Sequence, residues 1–286
     1  MRDASVPDIS VIVPVHRHWE IVEVLLAALG GQTLAQDRFE VLIVNNDAPA
    51  PPPPVALPEN ARILPCETPG SYAARNAGAA QARGKWLVFT DADCRPVPGW
   101  LDALTGAMPQ GLRAGPVEME LPPEPNAHAI YDLVRGIPQA RYVAHGYATT
   151  ANLAVPREIF ERLGGFDAAR RSGGDAEFCR RAGTRGYELC LVPGAVVAHP
   201  CRTNWEELAL KARRVKGGQV RAGSVRRRIF WTLRSLAPPL RDTVYYLASP
   251  HPLRFRLIAA AVRFRLWGVE LAEVARLLAG GAAERR

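Results

Sequence analysis

Only five of the 286 residues are cysteine, an odd number, and no two of them are spaced C-x-x-C. Neither a disulfide framework nor a zinc cluster is expected from Cys66, Cys94, Cys179, Cys190 and Cys201, and reduced thiols are the default. No secretory leader is expected either. The opening MRDASVPDISVIVPVH has no basic run, and its apolar stretch is only about five residues long. Long apolar runs are equally scarce: the longest window, within 253–278, is interrupted by Arg263, Arg265 and Glu270, so no clean membrane-spanning helix is expected. These absences together predict a cytoplasmic protein.

What remains is ordinary globular composition, 48% apolar and 22% charged, in a chain long enough for one large domain or for a domain with a helical extension. Charge is spread unevenly. Residues 1–200 carry 18 Lys+Arg against 22 Asp+Glu, whereas residues 201–286 carry 18 against 6. So basic a tail suits an anionic membrane met peripherally at its inner face, a diphosphate-linked acceptor or another polyanion. A merely solvated basic face is the alternative.

The stretch Gly70 to Arg95, GSYAARNAGAAQARGKWLVFTDADCR, reads as a small-residue helix followed by a buried strand. Asp91 and Asp93 follow that strand, and the two-residue period predicts that they share a face, with Ala92 opposite. In open α/β sheets ligands bind beyond the carboxyl ends of the strands. A hard divalent ion held by carboxylates and substrate phosphates is the expected occupant. Arg75 suits a phosphate, and the helix start near Ser71 favours anions. A solvated turn and a surface ion pair are the plainer readings of the aspartates and of Arg75.

Upstream, ISVIVPV (9–15) and FEVLIV (39–44) read as buried strands flanking a helix over Trp19 to Leu29, a β-α-β start to a nucleotide-binding sheet. Polar residues follow each strand: His16-Arg17-His18, then Asn45-Asn46-Asp47. Pro49 to Pro54 reads as a surface linker. Further helices are expected over Gly99–Met108, His128–Gly136, Arg157–Leu163 and from Asp175, with strands near 113–120, at Asn152–Val155 and at Val196–His199. In the tail, helices are expected at Trp205–Val215, Val225–Leu236, Arg241–Leu247 and Leu253–Leu278, with Gly217-Gly218 as a break.

PGSYAARNAGAAQARGKWLVFTDADC resembles the central signature of inverting family 2 glycosyltransferases of the GT-A fold: an A-R-N-x-G helix, a hydrophobic strand and a D-x-D metal motif. GGFDAARRSGGDAEFCRRAGTRGYE is similar to the family's later block, in which G-G-F-D precedes an acidic pair. The resemblance implies a GT-A domain over 1–200, with a nucleotide-sugar half (1–100) and an acceptor half (101–200), and a basic helical extension over 201–286. It implies that Pro14, Val15, Arg17, Asn45, Asn46, Asp47, Gly70, Arg75, Asn76, Asp91, Ala92 and Asp93 line the donor, and that Asp91, Asp93 and His199 hold Mn²⁺ or Mg²⁺. It makes Asp175 the catalytic base, with Glu177 sharing proton handling or binding the acceptor.

Two departures stand out: asparagines at 45 and 46 where acids are commoner, and Gly174 in place of the pair's first acid. A nucleotide-diphosphate sugar, most often a UDP-sugar, is the implied donor. The implied acceptor is a hydroxyl of a glycan or lipid-linked molecule; nucleic acid is not an expected partner. Arg202, Lys211, Arg213 or Arg214 are expected to close over the leaving phosphate. On bare sequence alone Asp175 reads first as a helix cap, a preference that the resemblance reverses, and the alternatives to a transferase are a non-catalytic nucleotide-sugar-binding module and a D-x-D phosphatase.

Overall fold

The computed structural model describes residues 6–106, 111–170, 172–221 and 223–283. The chain forms two compact units, one of Met1–Glu118, Pro138–Ala169 and Gly174–His199, the other of Met119–Ile137, Arg170–Gly173 and Pro200–Arg286.

The first unit is built on a seven-stranded sheet. Its strands are β1 (Ile9–Val15), β2 (Phe39–Asn45), β3 (Ala61–Pro65), β4 (Trp86–Thr90), β6 (Gly111–Ala114), β8 (Asn152–Pro156) and β9 (Glu188–Leu191), in the order β3-β2-β1-β4-β8-β6-β9. β5 (Arg95–Pro96), β7 (Val117–Glu120) and β10 (Val197–Pro200) make a second sheet, ordered β5-β10-β7. Every residue of β1 and β2 is buried, as continuous β-branched and apolar runs in a sheet covered on both faces require. β3, β2, β1 and β4 are mutually parallel, so their carboxyl ends lie along one edge. β8 runs antiparallel to β4 and therefore brings its amino end to that same edge, with Thr90 opposite Asn152.

The helices of this unit are α1 (Val22–Gly30), α2 (Ser71–Ala80), α3 (Trp100–Thr105), α5 (Gln139–Ala144), α6 (Arg157–Arg162) and α7 (Gly174–Thr184), while α4 (Ala127–Arg135) belongs to the other. The helix expected over Trp19–Leu29 begins as a 3-10 turn, Trp19–Ile21, and continues as α1. The one expected over Gly99–Met108 is α3, and Met108 lies outside the described residues. α2 meets the sheet through its small residues: a Cβ on Gly78 would lie 2.6 Å from the Ile12 side chain, so only glycine permits this approach. An aromatic cluster closes the core over β4. The Phe166 ring lies 5.1 Å from Phe89, 5.2 Å from Phe160 and 4.9 Å from Phe178, which ties β4, α6 and α7 to one point.

In the second unit α4 packs with α8 (Trp205–Arg221) and α11 (Leu253–Leu278) around Ile130, Tyr131, Leu208, Ala259 and Leu266. α9 (Val225–Leu236) and α10 (Leu240–Leu247) complete it. Gly217-Gly218 does not break the chain as expected but lies within α8. A Cβ on Gly217 would sit 3.0 Å from Ala283 and one on Gly218 3.3 Å from Ser172, so this pair serves close packing rather than a stop. Arg263 and Glu270, which interrupt the apolar window of α11, face inward and pair at 3.2 Å. No helix among the described residues is long and apolar enough to cross a membrane.

Candidate active site

The site is assembled where four strand ends and two helix starts converge within the first unit. β4 ends at Thr90, so Asp91 and Asp93 do not alternate along a strand as expected. They lie in a turn closed by the Cys94 amide on the Asp91 carbonyl, at 3.1 Å. Leaving the pleat frees each carboxylate to find its own partner. Asp91 accepts a close hydrogen bond from Arg75, whose guanidinium is buried in α2, and Asp93 lies 3.5 Å from the buried His199 imidazole. Ala92, between them in sequence, is buried.

α2 also reaches the other half of the site. Tyr72 and Arg75 are one turn apart on one face of the helix, with the guanidinium 5.8 Å from the ring centroid. The Tyr72 hydroxyl donates to the Asp175 carboxylate at 3.1 Å. Asp175 and Asp91 are therefore neighbours through two consecutive contacts of one helix. Asp175 is sheltered, and burial pushes its carboxyl above the usual range against the pull of the Ala176 amide, Arg75, Tyr72 and the Thr150 backbone. A sheltered carboxylate with a raised pKa is a stronger base than a solvated one. Burial, with Asp175 beside it, likewise raises the Tyr72 phenol, which stays protonated and can only donate to that carboxylate.

Sequence reasoning missed Tyr72, although its position three residues before Arg75 was visible. It also accounts for Gly174. A Cβ at 174 would fall 2.7 Å from the Tyr72 ring, so an acid here and this tyrosine exclude each other.

Asn76 positions the second half of the site from the same helix. Its amide donates to the Phe166 carbonyl at 2.8 Å and accepts from the Phe166 amide at 2.9 Å, pinning the G-G-F-D turn to α2. Gly165 has φ of 70° and lies so close that a Cβ would sit 2.9 Å from the Asn76 oxygen, which requires glycine there. Glu177 is engaged by a different partner from Asp175. Arg181 holds both its oxygens, at 2.8 and 3.0 Å, and bridges it to the carbonyls of Leu163 and Gly165, so Glu177 buttresses the turn.

The asparagines after β2 are similarly committed. Asn45 donates to the Ala50 carbonyl at 2.8 Å and accepts from the Asp47 amide at 3.0 Å. Asn46 donates to the Cys66 and Thr68 carbonyls and accepts from the Gly70 amide at 2.9 Å. Both shape loops, and both amide hydrogens of Asn46 are spent. Asp47 is the partly exposed acid of this rim, 3.5 Å from both the His16 ring and the Arg17 guanidinium. Arg17 is the one non-glycine described with positive φ, at 68°, a conformation held at the mouth of the site. Pro14 and Val15 are buried at the end of β1, and Gly70, with φ of 124°, precedes α2.

Asp93, Cys94 and His199 offer an oxygen, a sulfur and a nitrogen within 4.8 Å of one another. Burial first, then the charges of Asp91 and Asp93, hold the Cys94 thiol well above its ordinary range, and a soft sulfur suits a hard divalent ion less well than oxygen and nitrogen do. The carboxylate of Asp93 and the imidazole of His199 remain, a donor set that fits a divalent ion such as Mn²⁺.

Arg202 belongs to the second unit and is engaged there. Its backbone amide and guanidinium both bind Asp132, at 3.1 and 3.0 Å. Burial pushes Asp132 up, and Lys211, Arg202 and Arg135 more than offset it, holding it below the usual range. Burial together with Arg135 and Arg202 keeps the Lys211 ammonium well below its own.

With this geometry in hand, comparison with known proteins is decisive. Residues 10–116 match the model of the family described as Glycosyl transferase family 2. Glycosyltransferase AglE of Haloferax volcanii is 33% identical over 227 residues, covering 76% of this chain and 74% of that protein. The chain belongs to glycosyltransferase family 2. Its fold is GT-A, shared with the mannosyltransferase PcManGT from Pyrobaculum calidifontis, solved with GDP-Man and Mn²⁺. That likeness has a TM-score of 0.54 at 18% identity and covers 96% of this chain and 86% of that one. S. aureus TarS 1–349, solved with UDP-GlcNAc, gives 0.51 at 14%, with 96% and 92% covered. A family 2 glycosyltransferase takes its sugar from a nucleotide-sugar donor, and the phosphatase alternative falls.

Proposed function

We propose that this glycosyltransferase inverts the anomeric carbon of a nucleotide-diphosphate sugar in one in-line displacement by a hydroxyl of a glycan or lipid-linked acceptor. The observation that carries the reading is the Asp175–Tyr72–Arg75–Asp91 chain, beside which Asp93 and His199 stand as a separate cation-binding pair. Asp175 takes the proton of the attacking hydroxyl, and Tyr72 orients the carboxylate that does so. Asp93 and His199 would hold Mn²⁺ or Mg²⁺, which when bound would supply charge neutralisation at the diphosphate. Arg75 keeps Asp91 in place at the end of β4 so that this acid faces the ribose side of the donor. Asp47, Arg17 and Gly70 border the nucleotide. A UDP-sugar is the favoured donor because it is the family's commonest. PcManGT's GDP-Man complex and TarS's UDP-GlcNAc complex support a nucleotide-diphosphate sugar without choosing the base. The product belongs to polysaccharide or glycoconjugate synthesis on the cytoplasmic side, with the basic tail at the inner membrane face.

Thermal shift with UDP, GDP, TDP and CDP, with and without Mn²⁺, identifies the nucleotide. Asp175→Asn should lower transfer by about 10²–10⁴-fold, the usual contribution of a general base, with donor binding kept. A variant that retained most of its turnover would remove Asp175 from this role. If the native chain bound a nucleotide sugar but transferred from no donor to water or glycan, it would be a binding module instead.

A further inference from the structure

The second unit carries a surface that glycosyl transfer does not explain. Among the described residues, seventeen large apolar side chains are exposed, and twelve of them fall between Val225 and Phe264. A monomeric soluble protein seldom concentrates exposed apolar area in this way without a use for it. The same forty residues hold eight arginines and one acid, Asp242. Apolar and cationic groups are thus interleaved on three consecutive helices.

α9 shows the arrangement most clearly. It is a well-formed helix whose start is capped by the Ser224 side chain accepting from the Arg227 amide. Its inner face is marked by Ser235, which is buried and bound by Lys216 at 3.1 Å, and by the half-buried Trp231. At 100° per residue the opposite face presents Ile229, Phe230 and Leu233, which are 54, 59 and 63% exposed, with Arg226 among them and Arg234 at the margin. A groove of about 360 Å³ runs alongside, lined by Val225, Ile229, Leu233 and Leu277, with Arg228 in its wall. α10 adds exposed Leu240 and Val244 beside exposed Arg241, and the start of α11 adds Leu253 and Leu257 beside Arg254.

We infer that the outer face of α9, continued by α10 and the start of α11, is a docking surface for an anionic lipid bilayer. Two physical terms act together there. Apolar side chains enter the boundary between headgroups and acyl chains, and arginines meet lipid phosphates. The chemistry does not match a second copy of the same face, because the exposed Arg226, Arg228, Arg234, Arg241 and Arg254 of each copy would oppose each other. An acidic lipid surface supplies the missing charge and an apolar layer at once. α11 is not itself the interfacial helix, since its Arg263 and Glu270 are spent on each other inside the unit.

Binding of the full chain to large unilamellar vesicles, without nucleotide sugar present, tests this apart from transferase activity; its failure leaves the proposed reaction intact. Vesicles of phosphatidylcholine alone are compared with vesicles of phosphatidylcholine and phosphatidylglycerol in equal parts. The chain should sediment with the anionic vesicles only and be released near 1 M salt, where the screening length falls to about 3 Å. Arg226→Gln and Arg234→Gln should each weaken binding by about fivefold, the value of one arginine near an anionic surface. The double change Phe230→Asp with Leu233→Asp should abolish binding while leaving the thermal midpoint intact, because both side chains already face solvent. Equal binding to neutral vesicles, absence from anionic ones, or binding indifferent to these substitutions would each overturn the inference. So would a dimer in sedimentation that the double change dissolves with no vesicle binding, since the face would then join two copies.

Discussion

Asp175 carries opposing demands that can be separated by pH. Its folded-state carboxyl holds a proton at higher pH than the ordinary aspartate value of about 3.9, because burial disfavours the anion. Between those two values the folded chain binds more protons than the unfolded one, so stability falls as pH rises through the window. Asp175→Asn removes this penalty. The variant should therefore melt higher than the native protein at neutral pH and equally below the window, even though transfer collapses; a lower midpoint at pH 7 would refute the raised carboxyl. Tyr72 acts in the opposite sense, since its hydrogen bond favours the anion. Tyr72→Phe should push the acid limb of kcat/KM to higher pH and cost about tenfold or more in rate on that limb, as expected for a hydrogen bond to a charged group worth about 1.5–3 kcal/mol. Donor KM should hold, and a limb that did not move would reduce Tyr72 to packing.

Among the elements, α2 decides the geometry of the site, because successive positions on it reach three separate partners: Tyr72 touches Asp175, Arg75 touches Asp91, and Asn76 grips Phe166. Asn76→Ala would leave the Phe166 amide and carbonyl without partners at the edge of the aromatic cluster. Loss of stability should be about 1–3 kcal/mol per stranded group, read by urea denaturation, and Asn76→Asp should recover the accepted bond but not the donated one.

Much of this element was legible in the sequence. A run of Ala and Gly can only be a helix that lets something come close, and the strand that follows is too apolar to face water. The carboxylates were legible as a pair but not as neighbours of different partners, because a two-residue period says nothing once the strand ends at Thr90. The asparagines at 45 and 46 were harder still. Their chemistry permits base recognition, and only the positions of the Cys66, Thr68 and Gly70 backbone groups reveal that Asn46 is engaged in shaping its loop. Gly174 looked like a weakened motif. Its cause is a ring 102 residues earlier in the chain, a distance no local pattern can span.

For the molecule as a whole, the uneven charge noted along the sequence is handled by two different means in the second unit. Some of its cations are turned outward on α9, α10 and α11, where water or lipid solvates them, and others are buried and must be paired. Glu270 is the centre of the buried set, 3.3 Å from the Lys216 ammonium and 3.2 Å from Arg263, and Arg263 reaches on to Asp242 at 2.7 Å. Removing the shared acid strands the Lys216 ammonium and leaves Arg263 only the partly exposed Asp242, whereas replacing Lys216, Arg263 and Glu270 together leaves no buried charge of this set unpaired. Glu270→Ala should therefore destabilise the chain by about 3–5 kcal/mol, the cost of breaking a buried pair from one side. Lys216→Met, Arg263→Met and Glu270→Leu combined should recover most of that loss, since apolar residues of similar volume can replace a buried ionic group with little penalty. Equilibrium denaturation of the single and triple variants distinguishes the outcomes. If the triple variant is as unstable as the single one, the network contributes more than mutual neutralisation, and the helices of this unit depend on its hydrogen bonds for their packing.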